Sequence, residues 1–350
     1  MIKEINALLN EGFKNKHFPG ASYCIVYASG KTLCHHIGYK RLFPMIEKNT
    51  GSEIYDVASL TKVISTTTMI MKLIEEQKLF LDSKISNILP RFRHQEITIY
   101  DLLTHSSGLP ADISRASTLK TRDEVLNRIF EMNLIYKKNE HIVYSDVGFI
   151  LLGLVIEKIT QMNLDEYAKK IIFDPLDMKD TSYHPDVNRA APTEFRNDDI
   201  YQGYLTGYVH DEKAFAMGGL SGHAGLFSTT QDIAKLILAV LRNEFVLKKE
   251  TVDMLFPLRE KKTHPDGHML QRALGWDKPT IGGTAGDHVS YEDTIVHTGF
   301  TGCNMFIDRK HQVGFVMLSN AVHPKRNQNG IISYRNKIGN MIVKGGKSNE

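Results

Sequence analysis

Several things that would fix the class of a protein at once are scarce or missing here. There are three cysteines in 350 residues (Cys24, Cys34 and Cys303). The count is odd and lacks paired metal-ligand spacing, so all three are expected as free thiols. Cys24 and Cys34 could face each other across a hairpin, but nothing in the sequence demands a bond. No H-E-x-x-H pattern occurs, and His35 and His36, neighbours on an expected strand, would face opposite ways. No metal or other cofactor is expected. The longest apolar run, Val147 to Ile156, is too short to cross a bilayer. Neither sign of charge dominates: 43 Lys and Arg stand against 40 Asp and Glu, a net +3. With no basic block, nucleic acid is not an expected partner. The N-terminus, Met1-Ile2-Lys3-Glu4-Ile5-Asn6, lacks a charged-then-apolar signal segment, so a cytoplasmic address is expected. There is no repeat, low-complexity tract or flexible linker.

What remains is the composition of a globular protein, 42% hydrophobic and 24% charged. The length calls for one large domain with two lobes, or two domains. The chain is organised around Tyr55-Asp56-Val57-Ala58-Ser59-Leu60-Thr61-Lys62. Val63, Ile64, Met69, Ile70, Leu73 and Ile74 follow at helical spacing. A helix starting at Ser59 puts Ser59 and Lys62 one turn apart on one face, where an amine can reach a hydroxyl. It also offers the Ser59 N–H to a developing oxyanion. The plain reading of Ser59 is a helix N-cap. A second S-x-x-K, Ser117 to Lys120, reads as loop before the capping box Thr121-Arg122-Asp123-Glu124.

In chain order, residues 2–15 form an amphipathic helix. Ala21–Tyr27 and Thr32–Tyr39 are strands around a Ser29-Gly30 turn. Residues 76–230 are mostly helix and loop, with an apolar helix over 145–160 and another over 164–172. The glycine-rich stretch 218–225 reads as loop, though it could line a cleft where backbone must approach a ligand. A helix follows Thr229-Thr230-Gln231-Asp232. Short strands return at 294–298, 303–307 and 313–318, and a helix closes the chain at 331–343. This predicts an α+β fold: one antiparallel sheet built from both chain ends and flanked by helices, plus a mostly helical lobe. The whole of 1–350 is expected to be one domain. Its sheet lobe covers about 1–58 and 235–350, its helical lobe about 59–234, and a cleft lies between.

Two further motifs sit where such a cleft needs them. Tyr144-Ser145-Asp146 opens the apolar helix, and His297-Thr298-Gly299 ends a late strand. Each also has a plain reading: Asp146 as a first-turn acid, His297 as an edge-strand histidine, Gly299 as a turn. The decoy Tyr291-Glu292-Asp293 shows how little Tyr-x-Asp means alone. The order Ser-x-x-Lys, Tyr-x-Asp, His-Thr-Gly resembles the layout of active-site serine penicillin-recognising enzymes. The chain resembles the β-lactamase-like serine hydrolases, that is class C β-lactamases, low-molecular-weight penicillin-binding proteins and esterases of the same fold. Leu102-Leu103-Thr104-His105-Ser106-Ser107-Gly108-Leu109-Pro110 looks like a segment of that family. So do 173–181, 222–229 and 320–324, and the likeness runs from about Pro19 to His323.

The resemblance implies a β-lactamase/transpeptidase-like fold and a serine hydrolase that cleaves an ester or amide through an acyl-enzyme. Ser59 would be the nucleophile, Lys62 its activator as a neutral amine, and Tyr144 a second acid/base group. The N–H groups of Ser59 and Phe300 would form the oxyanion hole, while Asp146, His297, Thr298 and Gly299 would contact substrate. Asp146 stands where many members carry Asn; a carboxylate there can only accept hydrogen bonds and favours a charged Lys62. His297 stands where β-lactamases have Lys. It would offer a substrate carboxylate positive charge only below its titration near pH 6.5. Esterase or D-amino-acid peptidase activity is therefore expected ahead of efficient β-lactam hydrolysis. The alternative is a non-catalytic member that binds penicillin-like or peptidoglycan ligands. The expected partner is a small-molecule or peptide-like acyl substrate, β-lactams included, and the expected state a monomer or weak oligomer. His105, His210 and His223 could face the cleft, with structural hydrogen bonding the first expectation for each.

Overall fold

The computed structural model describes residues 1–264, 266–267 and 269–346. Its centre is a six-stranded antiparallel sheet in the order β4-β5-β6-β1-β2-β3. The N-terminal end supplies β1 (Gly20–Tyr27), β2 (Thr32–Arg41) and β3 (Glu47–Lys48). The C-terminal end supplies β4 (Thr294–Thr298), β5 (Asn304–Asp308) and β6 (Val313–Ser319). The two ends meet where β1 pairs with β6, Ala21 opposite Ser319 and Tyr27 opposite Val313. One expected strand is shifted: Cys303 lies in the turn, and β5 starts at Asn304.

Of five main helices, α1 (Ile2–Lys14), α2 (60–75), α3 (Asp146–Thr160), α4 (Thr230–Arg242) and α5 (Ile332–Gly346), the first, fourth and fifth pack directly on the sheet, and α2 and α3 pack against each other. Within α2, Lys62–Thr67 is wound as a π-helix. Because helices cover both faces of the sheet, β1 and β6 are apolar on both faces and read as continuous runs. Tyr23, Ile25, Phe315 and Met317 pack with Ile5, Leu9, Ile338 and Ile342 of α1 and α5. Cys24, Val26, Val316 and Leu318 face the other way, into the larger core shared with α2, α3 and α4. Helix α4 lies close to the sheet at Gly314, where a Cβ would collide with Ile237.

Helix α3 is buried on every side over Val147–Ile156, which is why its sequence shows no polar face. Its N-terminus is capped by Ser145, whose Oγ accepts the Gly148 N–H at 3.2 Å. Among the described residues no single helix is long and apolar enough to cross a membrane.

One expectation about the cysteines is overturned. Cys24 and Cys34 are joined by a disulfide, and only Cys303 is a free, buried thiol. The cause is register. The Ser29-Gly30 turn sets Cys24 directly opposite Cys34, where cross-strand Cβ atoms come within disulfide reach.

Candidate active site

The turn before α2 is held from several sides. Ala58 has φ +48°, a left-handed conformation that costs a non-glycine residue energy and persists only where neighbours impose it. Buried Asp56 does so: one oxygen accepts the Ala58 N–H at 2.8 Å and the other the His210 N–H at 2.7 Å. Thr301 ties the end of β4 to the same place, its Oγ1 donating to the Asp56 carbonyl at 2.7 Å. Ser59 is left at the N-terminus of α2, on the wall of a cavity of about 280 Å³ that Tyr144, Asp146 and Phe300 also line.

Lys62 is fully buried one turn on. Its Nζ donates to Ser59 Oγ at 2.9 Å, to Asp146 Oδ1 at 2.8 Å and to the His223 carbonyl at 3.2 Å. It stands 4.7 Å from the centre of the Tyr144 ring. Burial pulls its pKa down, but the Asp146 carboxylate, then Tyr144, push it up further, and the net shift is upward. A neutral amine was the expectation for Lys62. The ion pair with Asp146 overturns it, and the side chain is an ammonium that donates to Ser59.

The Tyr144-Ser145-Asp146 corner is shaped by the segment 102–110. The Ser145 N–H donates to His105 Nδ1 at 3.0 Å, and Ser145 Oγ donates to the Pro110 carbonyl at 2.6 Å. The His105 ring packs on Tyr144 at 4.7 Å between centroids. His105 is thus a structural histidine, as expected. Asp146, the first residue of α3, accepts from Lys62 with one oxygen and lies 3.3 Å from Lys213 Nζ with the other. Burial raises its pKa, but Lys62 and His223 lower it further, so the carboxylate is ionised.

The His297-Thr298-Gly299 strand end comes up beside Ser59. A Cβ on Gly299 would lie 2.5 Å from the Val57 carbonyl oxygen, so only glycine admits this approach. Among the described residues, neither the Ser59 nor the Phe300 N–H has an acceptor within the chain. The Phe300 ring is exposed at the mouth and stacks on His210, 5.7 Å between centroids. His297 is buried, its ring 6.1 Å from that of Tyr144 between centroids, with Nδ1 2.9 Å from the Thr298 carbonyl. Burial, then Lys62 and Arg272, push its pKa down to about 3. His297 was expected to lend positive charge below neutral pH. Burial beside two cations overturns this, and the ring is neutral throughout the ordinary range.

Other residues of the site carry no motif. Lys213, buried, lies 2.8 Å from Asp112, 3.0 Å from Asp211 and 3.3 Å from Asp146. Asp211 also meets His223 Nε2 at 2.7 Å, and His223 Nδ1 meets Ser221 Oγ at 2.8 Å. The ligand atoms of Asp146, Asp211 and His223 come within 4.8 Å of one another, a spacing that could hold a metal ion. The Lys213 ammonium already supplies the positive charge between the two carboxylates. Arg272, also buried, sits behind Tyr144, its guanidinium carbon 5.4 Å from the ring centre, and pairs with Asp277. The glycine-rich loop both connects and lines: Gly222 is pressed against α3 at Phe149 and Gly153, and His223 reaches the cavity.

The β-lactamase family model matches residues 5–336. The chain belongs to the β-lactamase family. It is a serine hydrolase of the penicillin-binding-protein/β-lactamase type with an α+β fold. It is 31% identical to the N-acetylmuramyl-L-alanine amidase of Bacillus subtilis, over 89% of this chain and 80% of that protein. It is 34% identical to a putative D-alanyl-D-alanine carboxypeptidase of Escherichia coli, over 81% of this chain and 73% of that one. Among solved structures, the octameric penicillin-binding protein homologue of Pyrococcus abyssi matches with a TM-score of 0.77 at 22% identity. That match covers 98% of this chain and 77% of the other.

Proposed function

We propose that this member cleaves esters or amides through an acyl-enzyme on Ser59, and that its substrates carry no free carboxylate next to the scissile bond. The observation behind the substrate class is the charge of the cleft wall. Asp112, Asp146, Asp211 and Glu212 line it, and its two cations, Lys213 and Arg326, are each paired with carboxylates. With His297 neutral, no uncommitted cation among the described residues is left there for a substrate carboxylate. Esterase or amidase activity suits such a wall better than D-alanyl-D-alanine cleavage or β-lactam hydrolysis. Of the two relatives named above, the amidase fits this wall, and the putative D-alanyl-D-alanine carboxypeptidase stands for the reading set against it.

In this reading Ser59 Oγ attacks the carbonyl carbon while the Ser59 and Phe300 N–H groups stabilise the oxyanion. The Tyr144 hydroxyl relays the proton, giving its own to the leaving group as it accepts that of Ser59 Oγ; water then attacks the acyl group and the relay returns its proton to Ser59 Oγ as the acid leaves. Lys62, held as an ammonium by Asp146, orients Ser59 Oγ. Together with Arg272 it stabilises negative charge developing on the Tyr144 oxygen. Asp146 and His297 position these groups, and the Thr298 side chain and Gly299 backbone form the substrate edge. The chain would act as one domain, a reading supported by the core that runs from the sheet into α2, α3 and α4.

The Cys24–Cys34 disulfide argues for an oxidising compartment, against the cytoplasmic address expected from the N-terminus.

A substrate panel tests the reading. Neutral p-nitrophenyl esters and an N-acetylmuramyl-L-alanyl amide should exceed D-alanyl-D-alanine peptides and nitrocefin by about tenfold or more in kcat/KM, the cost of roughly one unmatched charge. Preferred turnover of either carboxylate-bearing substrate would contradict it.

A further inference from the structure

A second concavity, of about 680 Å³, lies away from the cleft, between the end of α1, the turn joining β2 to β3, and residues 321–325. Its floor is apolar, with Phe13, Phe18, Pro19 and Tyr39. Its outer lip is the turn Leu42-Phe43-Pro44-Met45-Ile46, where three large apolar side chains stand in water: Phe43 is 49% exposed, Met45 71% and Ile46 66%. Single exposed apolar residues are ordinary, but three on one projecting turn beside an apolar groove are not.

The charges lining the groove are of one sign. Lys14, Lys16 and Lys325 line it and no carboxylate does. Among the described residues none of these three lysines has an ion-pair partner. Lys40 and Arg41 on the neighbouring strand are both held by Glu47, at 3.0 and 2.7 Å.

We propose that this face docks on an anionic phospholipid bilayer. Phe43, Met45 and Ile46 enter the boundary of the acyl chains, and Lys14, Lys16 and Lys325 lie at the level of the phosphates. A twofold dimer through the same face would set these lysines against their own copies, which like-charge repulsion opposes. An acidic bilayer satisfies both the uncompensated cations and the exposed apolar tip. Docking would also place the cleft near the lipid surface, because residues 321–326 form a shared wall: Lys325 lines the groove and Arg326 the active-site cavity.

Vesicle co-sedimentation of the full chain tests the proposal. Wild type should pellet with phosphatidylcholine vesicles containing phosphatidylglycerol, and at least tenfold less with pure phosphatidylcholine. The F43S/M45S/I46S and K14E/K16E/K325E variants should each lose at least tenfold in partitioning. Both should hydrolyse a soluble p-nitrophenyl ester at the wild-type rate, which shows that they are folded. Wild type that stays in the supernatant with the anionic vesicles, or variants that pellet like wild type, would overturn it. So would concentration-dependent self-association, without lipid, that the apolar triple variant abolishes, because the occupant would then be a second copy.

Discussion

Asp146 Oδ1 accepts a hydrogen bond from Lys62 Nζ at 2.8 Å, across 84 residues of chain. This ion pair decides the charge of the lysine beside Ser59. Burial alone would lower the Lys62 pKa; the carboxylate is the largest of the groups that more than offset it. Asp146→Asn removes the opposing charge and leaves burial in command, so Lys62 should lose its proton at lower pH. The alkaline limb of kcat/KM should then move down by about one to three pH units, the usual effect of one close opposite charge. A pH–rate profile of Asp146→Asn from pH 6 to 11 checks this, and an unmoved limb would show that Lys62 does not act as an ammonium.

Arg272 is the cation behind Tyr144 that no motif announces. A desolvated cation beside an aromatic ring is worth about 2 kcal/mol, which corresponds to roughly 30-fold in rate. Arg272→Met should therefore lower kcat by about that factor, and Arg272→Lys should recover part of it. Equal loss in both variants, with equal loss of thermal stability, would reduce Arg272 to a packing residue.

Gly299 tests the oxyanion hole, whose backbone donors cannot be mutated directly. Gly299→Ala would drive a methyl against the Val57 carbonyl and push the Phe300 N–H away from Ser59. The expected loss is about 10²–10³ in kcat, with the melting temperature measured alongside. Wild-type kcat in a folded Gly299→Ala protein would remove Phe300 from the site.

Much of this arrangement was legible in the sequence, and the reasons differ from place to place. The strands and α3 carry strong periodicity or caps, so Thr294–Thr298 could be read directly and the start of α3 to within one residue. Ser59, Lys62, Tyr144 and Gly299 stand in short motifs whose order is informative. Lys213, Asp211 and Arg272 do not, because their importance comes from meeting Asp146 or Tyr144 through long-range packing. The charge states of Lys62 and His297 were misread for the same reason: composition cannot report how deeply a group is buried or which ions surround it. The Cys24–Cys34 bond depended on a one-residue question of register in the first hairpin.

That bond has its own check. Under native conditions the purified oxidised protein should show no thiol reactive to a maleimide, since Cys303 is buried. Unfolded without reductant it should show one, and unfolded after reduction three. Three thiols in the unreduced, unfolded protein isolated from its natural source would contradict the oxidising compartment.

The most direct test of the central claim is the mass and location of a covalent intermediate. The protein is mixed with a slowly deacylating p-nitrophenyl ester, quenched in acid within seconds and digested for mass spectrometry. The predicted result is one acyl group on Ser59, absent from Ser59→Ala and formed far more slowly in Tyr144→Phe. Turnover of the ester by Ser59→Ala at the wild-type rate, or an acyl group on any residue other than Ser59, would contradict it.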